Sequence, residues 1–195
     1  MSNGKVTNIL IVGVGGQGTI LASRILSYLA LEEGHDVKVS EIHGMAQRGG
    51  SVVTQVRMGE KVYSPLISEG QADVILAFER LEALRWVHYL KKDGTIIIND
   101  QAIDPVPVIL GLQEYPSGII DRIKGKVPDT IAVNALQIAE ECGNAKASNV
   151  VLMGVLARKM GFGKEKCIRA LEAKVPAKFL ELNKNAFEKG WNVDL

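Results

Sequence analysis

A three-layer α/β/α, Rossmann-like fold is what this sequence predicts: a mostly parallel sheet with an antiparallel hairpin and a helical C-terminal region. Three observations predict it. Short apolar runs rich in β-branched residues (Asn8–Val12, Ala72–Phe78, Gly94–Asn99) alternate with segments whose apolar residues recur at helical spacing. Those runs are apolar throughout rather than alternating, as in strands covered on both faces. The first run also ends in a glycine-rich turn, Gly13-Val-Gly-Gly-Gln-Gly18, which leads into a helix.

The elements follow in order. After the turn, Leu21, Ile25, Tyr28 and Leu29 mark a helix that stops at Gly34, and Asp36–Ser40 is a second strand. That unit has the length of a parallel strand–helix–strand crossover. Glu41 to Gly50 reads as a loop. Ser51–Arg57 reads as a strand that Met58–Lys61 turns back into Val62-Tyr63, giving the antiparallel hairpin. Ala72–Phe78 is a buried strand, followed by a helix through Leu81, Leu84 and Val87 and a strand over Gly94–Asn99. Pro105, Pro107, Pro116 and Pro128 break up residues 101–128, with a helix between Ser117 and Lys124. Asp129–Val133 is the last strand. Helices are expected over 135–142, 149–160, 164–175 and 177–189, with Gly143, Gly161 and Gly190 at their C-caps. No linker or repeat divides the chain, so residues 1–195 read as one domain.

Composition excludes several classes. Hydrophobic residues make up 47% and charged residues 23%, which rules out wholesale disorder. A net charge of +1 is not the footprint of a chain that grips nucleic acid. The only asymmetry is a C-terminal excess of positive charge, with nine basic and five acidic residues over 158–195. No apolar run approaches the roughly 18 residues that span a bilayer. The opening Met1–Lys5 leads into a strand without the apolar core of a secretion signal, so a cytoplasmic location is expected. Cys142 and Cys167 form no C-x-x-C pair, which argues against zinc or iron–sulfur ligation within the chain; two reduced thiols are expected.

Gly13-x-Gly15-x-x-Gly18 has the form of a dinucleotide-binding turn, placed between a strand and a helix. Glycines allow the backbone to approach a phosphate, and the helix start offers N–H groups and a positive dipole end. The same glycines serve a tight turn without any ligand. A stand-alone nicotinamide-dependent enzyme is the alternative reading, with Glu41 as its ribose-binding acid. In the loop after the second strand, Gln47, Arg48, Gly49 and Gly50 should lie at the same end of the sheet as Gly13, Gly15, Gly16, Gln17 and Gly18. Arg48 suits a phosphate, an acidic residue of a partner, or an internal pair with Glu41. His35, His43 and His88 have no companions at metal spacing and read as surface or packing residues. No Ser-His-Asp order, nucleophile elbow or Walker A lysine occurs.

Ile9–Gly18, Gln47–Gly50 with Val53 and Arg57, Asp73–Ala77, Gly143-Asn144 with Asn149 and Met153-Gly154, and Leu182-Asn183 with Ala186-Phe187 and Gly190 together carry a likeness along nearly the whole chain. The sequence resembles the gamma subunits of 2-oxoacid:ferredoxin oxidoreductases. It is most similar to the small subunits of the indolepyruvate branch, with the pyruvate and 2-oxoisovalerate branches as near alternatives. The resemblance implies one gamma-type domain, similar to domain III of single-chain pyruvate enzymes, within an enzyme that oxidatively decarboxylates 2-oxoacids to acyl-CoA and reduces ferredoxin. It implies a large partner subunit bearing thiamine diphosphate and iron–sulfur clusters. The chain itself lacks a G-D-G…N thiamine motif, Asp93-Gly94 being the nearest approach. No tightly bound cofactor is expected in it, and coenzyme A is the ligand its glycine turn would share. Apolar members of the loops, Met45, Val106, Val108, Ile109 and Leu110, are expected to face a partner or, in the isolated chain, another copy.

Overall fold

The computed structural model describes residues 6–43 and 50–194. Strand β1 (Thr7–Val14) is buried on both faces, with Ile9 and Ile11 turned to one layer of helices and Leu10 and Val12 to the other. Helix α1 (Thr19–Glu32) returns along the sheet and buries Ala22, Ile25, Leu26, Leu29 and Ala30, a stripe at helical spacing. Strands β2 (Asp36–His43) and β3 (Ser51–Gly59) follow, then β4 (Ala72–Ala77), α2 (Arg80–Trp86), β5 (Leu90–Asn99), the single turn α3 (Val106–Ile109), α4 (Ile119–Lys124) and β6 (Thr130–Val133).

The six strands lie in the order β2-β3-β1-β4-β5-β6. β1, β4, β5 and β6 are parallel neighbours, while β3 is antiparallel to both β1 and β2. The sheet is therefore mostly parallel with one antiparallel element, but the hairpin differs from the expected one. β3 pairs backwards with β2, and Val62-Tyr63 form no strand. Side chains rather than a backbone ladder hold that segment: Val62 N–H donates to Asp36 Oδ2 at 3.0 Å, Ile67 N–H to Gln55 Oε1 at 2.6 Å, and Arg57 to the carbonyls of Ser64 and Leu66. Val62 is buried and Tyr63 exposed. The crossover from β1 through α1 also ends one place further out than expected, because β3 occupies the position beside β1.

The C-terminal helices match the expected spans within two residues: α5 (Ala135–Glu141), a 3₁₀ turn at Ala145–Ala147, α6 (Ser148–Met160), α7 (Lys164–Lys174) and α8 (Ala177–Trp191). With α1 they cover one face of the sheet, and α2 and α4 cover the other. Every residue of α6 from Asn149 to Ala157 is buried. No described helix is long and apolar enough to cross a membrane.

Gly143 and Gly161 stand just past helix ends as expected, but Gly190 does not. It lies inside α8, packed on α6. A Cβ there would stand 2.0 Å from the Val151 carbonyl oxygen, and one on Gly154 of α6 would stand 2.3 Å from the Phe187 carbonyl oxygen. Each helix thus presents a glycine to the other's backbone, and the two can pack this close only without side chains at those points. Replacing Gly190→Ala should lower the unfolding free energy by roughly 3 kcal/mol through overpacking against backbone that cannot yield. Urea denaturation measures it. Gly125→Ala, where the added carbon makes ordinary contact, should stay within about 0.5 kcal/mol of the parent protein.

Candidate functional site

Ligands of open α/β sheets bind beyond the carboxyl ends of the strands, and here three side-chain amides lace that edge together. Gln17 accepts from the Val14 N–H through Oε1 at 2.8 Å and donates through Nε2 to the Phe78 carbonyl at 2.9 Å and to Gln101 Oε1 at 3.4 Å. Asn99 donates to the same Phe78 carbonyl at 3.2 Å and to Gln101 Oε1 at 3.0 Å, and its Oδ1 accepts from the Ala135 N–H at 3.0 Å. The ends of β1, β4 and β5 and the start of α5 are thereby joined. Both ends of the Gln17 side chain, expected as an amide facing an anion, are hydrogen-bonded within the protein.

The glycine turn itself is held from two sides. Gly15 N–H donates to the Gly50 carbonyl at 2.9 Å, which brings the end of the second loop against the turn as the sequence reading anticipated. Gln47, Arg48 and Gly49 lie outside the described residues. Gly18, the N-cap of α1, has φ 85°, in the region that favours glycine. A Cβ there would lie 2.2 Å from Asn149 Nδ2, so the Asn149 amide fills the space a side chain would need. The Asn149 side chain is buried, and its Oδ1 meets no partner among the described residues.

Beside the turn is a cavity of about 190 Å³ lined by Gly16, Gln17, Gln101, Ile103, Leu136, Ala145, Lys146 and Ser148. Two long helices begin at its wall. α1 follows Gly16 and Gln17 and has no side-chain cap at its N terminus, while α6 starts at Ser148 directly after the 3₁₀ turn, whose first N–H groups are taken up by Asn144 and Ala145. The first-turn N–H groups of α1 and the positive ends of two helix dipoles favour an anion, and Lys146 is the cation of the lining. Asn144 holds that lysine's segment, its Oδ1 accepting from the Lys146 N–H at 3.0 Å. A second cleft of about 250 Å³ opens on the other side of the same 3₁₀ turn. Lys146 and Asn149 line it together with Leu21, Pro176, Phe179 and Leu182.

Of the expected site residues, Gly13, Gly15, Gly16, Gln17, Gly18 and Gly50 do come together, and Gly16 and Gln17 line the cavity. Lys146, Ser148 and Gln101 were missed. Their signal was indirect: Gly143-Asn144 and Asn149 belong to the motif stretch, and the lysine is the charged residue between them.

The acid of the dinucleotide reading does not stand at the turn. β3 separates β2 from β1, and Glu41 Oε1 accepts from the Ser23 hydroxyl at 3.1 Å on α1. Asp93-Gly94 lies within β5 and not in a loop. Cys167 is buried, and burial, with Glu33 and Glu32 nearby, pushes its thiol up to about 12. A thiol held neutral is a poor metal ligand. No group of three His, Cys, Asp or Glu among the described residues could hold a metal ion. The donor set therefore does not fit an iron–sulfur cluster.

Residues 8–193 match the family model described as pyruvate ferredoxin/flavodoxin oxidoreductase. The indolepyruvate oxidoreductase subunit IorB of Thermococcus kodakarensis is 44% identical, over 95% of each chain. The crystal structure of a keto/oxoacid ferredoxin oxidoreductase gamma subunit from Geobacter sulfurreducens superposes with a TM-score of 0.71 at 26% identity, covering 95% of this chain and 96% of that one. The 2-oxoglutarate:ferredoxin oxidoreductase of Magnetococcus marinus, solved with 2-oxoglutarate, coenzyme A and succinyl-CoA bound, superposes with a TM-score of 0.70 at 21% identity. The match spans 96% of this chain but 30% of that one, so the same fold there forms part of a much longer chain.

Gln17→Ala would leave the Val14 N–H and one bond of the Phe78 carbonyl unmade. It should cost about 2 kcal/mol of unfolding free energy in the isolated chain, read by urea denaturation. Unchanged stability would mean that the amide is free for a ligand after all.

Proposed function

The chain belongs to the pyruvate ferredoxin/flavodoxin oxidoreductase family, and from that premise we propose that it is the small subunit of an indolepyruvate-type 2-oxoacid:ferredoxin oxidoreductase. The assembled enzyme oxidatively decarboxylates an aryl 2-oxoacid to its acyl-CoA and passes the electrons to ferredoxin. A large partner subunit carries thiamine diphosphate and the iron–sulfur clusters. This chain contributes architecture and an anion site for coenzyme A.

The observation that carries the reading is the cavity at the carboxyl edge, which Lys146 lines together with the starts of α1 and α6. Coenzyme A is the polyanion among the reactants. Its phosphates would be held by the Lys146 ammonium and by first-turn N–H groups of α1. The Gln17–Gln101–Asn99 lattice keeps the turn rigid, so the donors are in place before the ligand arrives. The cleft behind the 3₁₀ turn, walled by Leu21, Pro176 and Phe179, offers apolar surface to the less polar parts of the same molecule. The 44% identity to an indolepyruvate oxidoreductase subunit supports the aryl substrate class.

In the complex reconstituted with its large subunit, Lys146→Gln should raise the apparent Michaelis constant for coenzyme A roughly thirtyfold, from the loss of about 2 kcal/mol of charge-assisted contact, with assembly intact. Arg48→Ala should act in the same direction if that side chain reaches the ligand, and should weaken assembly if it pairs with the partner. Unchanged coenzyme A kinetics in both variants would place the coenzyme elsewhere. The isolated chain should be colourless and show no 2-oxoacid-dependent dye reduction; stoichiometric iron or thiamine diphosphate in it would contradict the division of labour.

A further inference from the structure

Residues 105–112, Pro-Val-Pro-Val-Ile-Leu-Gly-Leu, project from the carboxyl edge next to the anion cavity, whose lining includes Gln101 and Ile103. Four of their side chains face solvent: Val106 at 56% exposure, Ile109 at 70%, Leu110 at 65% and Leu112 at 74%. The segment is not slack. Val108 and Ile109 donate to the Pro105 carbonyl, Leu110 to Val106, and Leu112 and Gln113 to Pro107. Two prolines narrow it further. Its feet are clamped on one buried side chain. Glu79, 1% exposed, accepts through Oε1 from the Ile103 N–H at 3.2 Å and from the Tyr115 hydroxyl, while its Oε2 caps α2 through the Glu82 N–H. A buried carboxylate fully occupied in this way holds an apolar spur out into water.

We propose that this Glu79-clamped spur is a preorganised docking element that inserts into an apolar, basic-rimmed groove of the large partner subunit. The proposal rests on the subunit reading above and gives it a contact surface. Two observations choose this occupant over a second copy of the chain. The spur carries Asp104 and Glu114 at its feet and no basic residue between Gln101 and Ser117, so two spurs brought together would set like charges face to face, whereas a basic rim would complement them. The area decides likewise. Four side chains at this exposure present on the order of 400 Å², so a spur-to-spur contact would bury roughly 800 Å² in all, short of the about 1,200 Å² of a stable interface. A groove in a larger chain covers the spur and the cavity mouth together. A spur fixed before binding loses little entropy on docking, which is what the clamp supplies.

The test is the affinity of the intact small subunit for its purified large subunit, measured by biolayer interferometry. Ile109→Asp combined with Leu112→Asp should weaken the complex at least a hundredfold, while thermal unfolding of the chain itself stays unchanged because both side chains are exposed. Leu31→Asp, an equally exposed apolar position on α1, should leave affinity within twofold. Tyr115→Phe keeps the apolar surface but removes one foot of the clamp; it should weaken the complex about tenfold and speed proteolytic cleavage between 104 and 114. A double variant that binds with parental affinity overturns the proposal and leaves the subunit reading standing. So does one that dissociates a dimer of the isolated chain while binding the large subunit normally, since a second copy would then be the occupant. If Tyr115→Phe changes neither affinity nor cleavage, the clamp is not what presents the spur. A parental chain that never binds the large subunit removes the subunit reading and this proposal with it.

Discussion

A parallel sheet leaves its strand ends with carbonyl and N–H groups that no neighbouring strand pairs, and in this molecule three side-chain amides take them up. Gln17, Gln101 and Asn99 share hydrogen bonds with one another and with Val14, Phe78 and Ala135. Everything at the carboxyl edge depends on that lattice. It fixes the glycine turn relative to β4 and β5, aims the start of α1 into the cavity, and sets where α5 begins. Asn149 of α6 completes the frame by standing where a side chain on Gly18 would be. With the edge rigid, the positive ends of α1 and α6 can share one small cavity with Lys146. Removing an amide there would loosen the sheet edge and the cavity together.

Much of the fold was legible because buried strands and helices write themselves in hydrophobic period. Ile9–Val12, Ile75–Ala77 and Ile96–Ile98 are apolar on both faces because helices cover both, and the four C-terminal helices carry clear apolar stripes. What was not legible is partnership between elements. The hydrophobic pattern of Ser51–Gly59 does not say whether it turns forward onto Val62-Tyr63 or backward onto Asp36–His43; polar side chains, Asp36 on β2 and Gln55 and Arg57 on β3, hold the following segment instead of a strand ladder. Gly190 misled for a related reason. A glycine late in a helix looks the same in sequence whether it ends the helix or lets another helix approach, and only the carbonyl of Val151 distinguishes the two.

The candidate site was half legible. The glycines of the turn announce a tight backbone, and the register of β1 brings Gly50 to Gly15. Lys146 had no such direct signal, because its place comes from a 3₁₀ turn set by Asn144 and from a cavity lined by four separate segments of the chain. Glu79 was hidden for the opposite reason. A glutamate before a helix reads as an ordinary cap, which it is, and its second oxygen reaches residues 24 and 36 positions away in the chain.

The central claim is that one chain of a two-chain enzyme brings a rigid, positively poled cavity to a coenzyme whose chemistry is carried out on its partner. Hydrogen–deuterium exchange of the assembled complex, with and without coenzyme A, tests that claim most directly. Coenzyme A should slow exchange at the amides of Gly16 to Ile20 and of Ala145 to Asn149, where the two helices begin, and leave the far ends of α1 and α6 unchanged. Slowed exchange confined to the large subunit, with these amides unaffected, would contradict it.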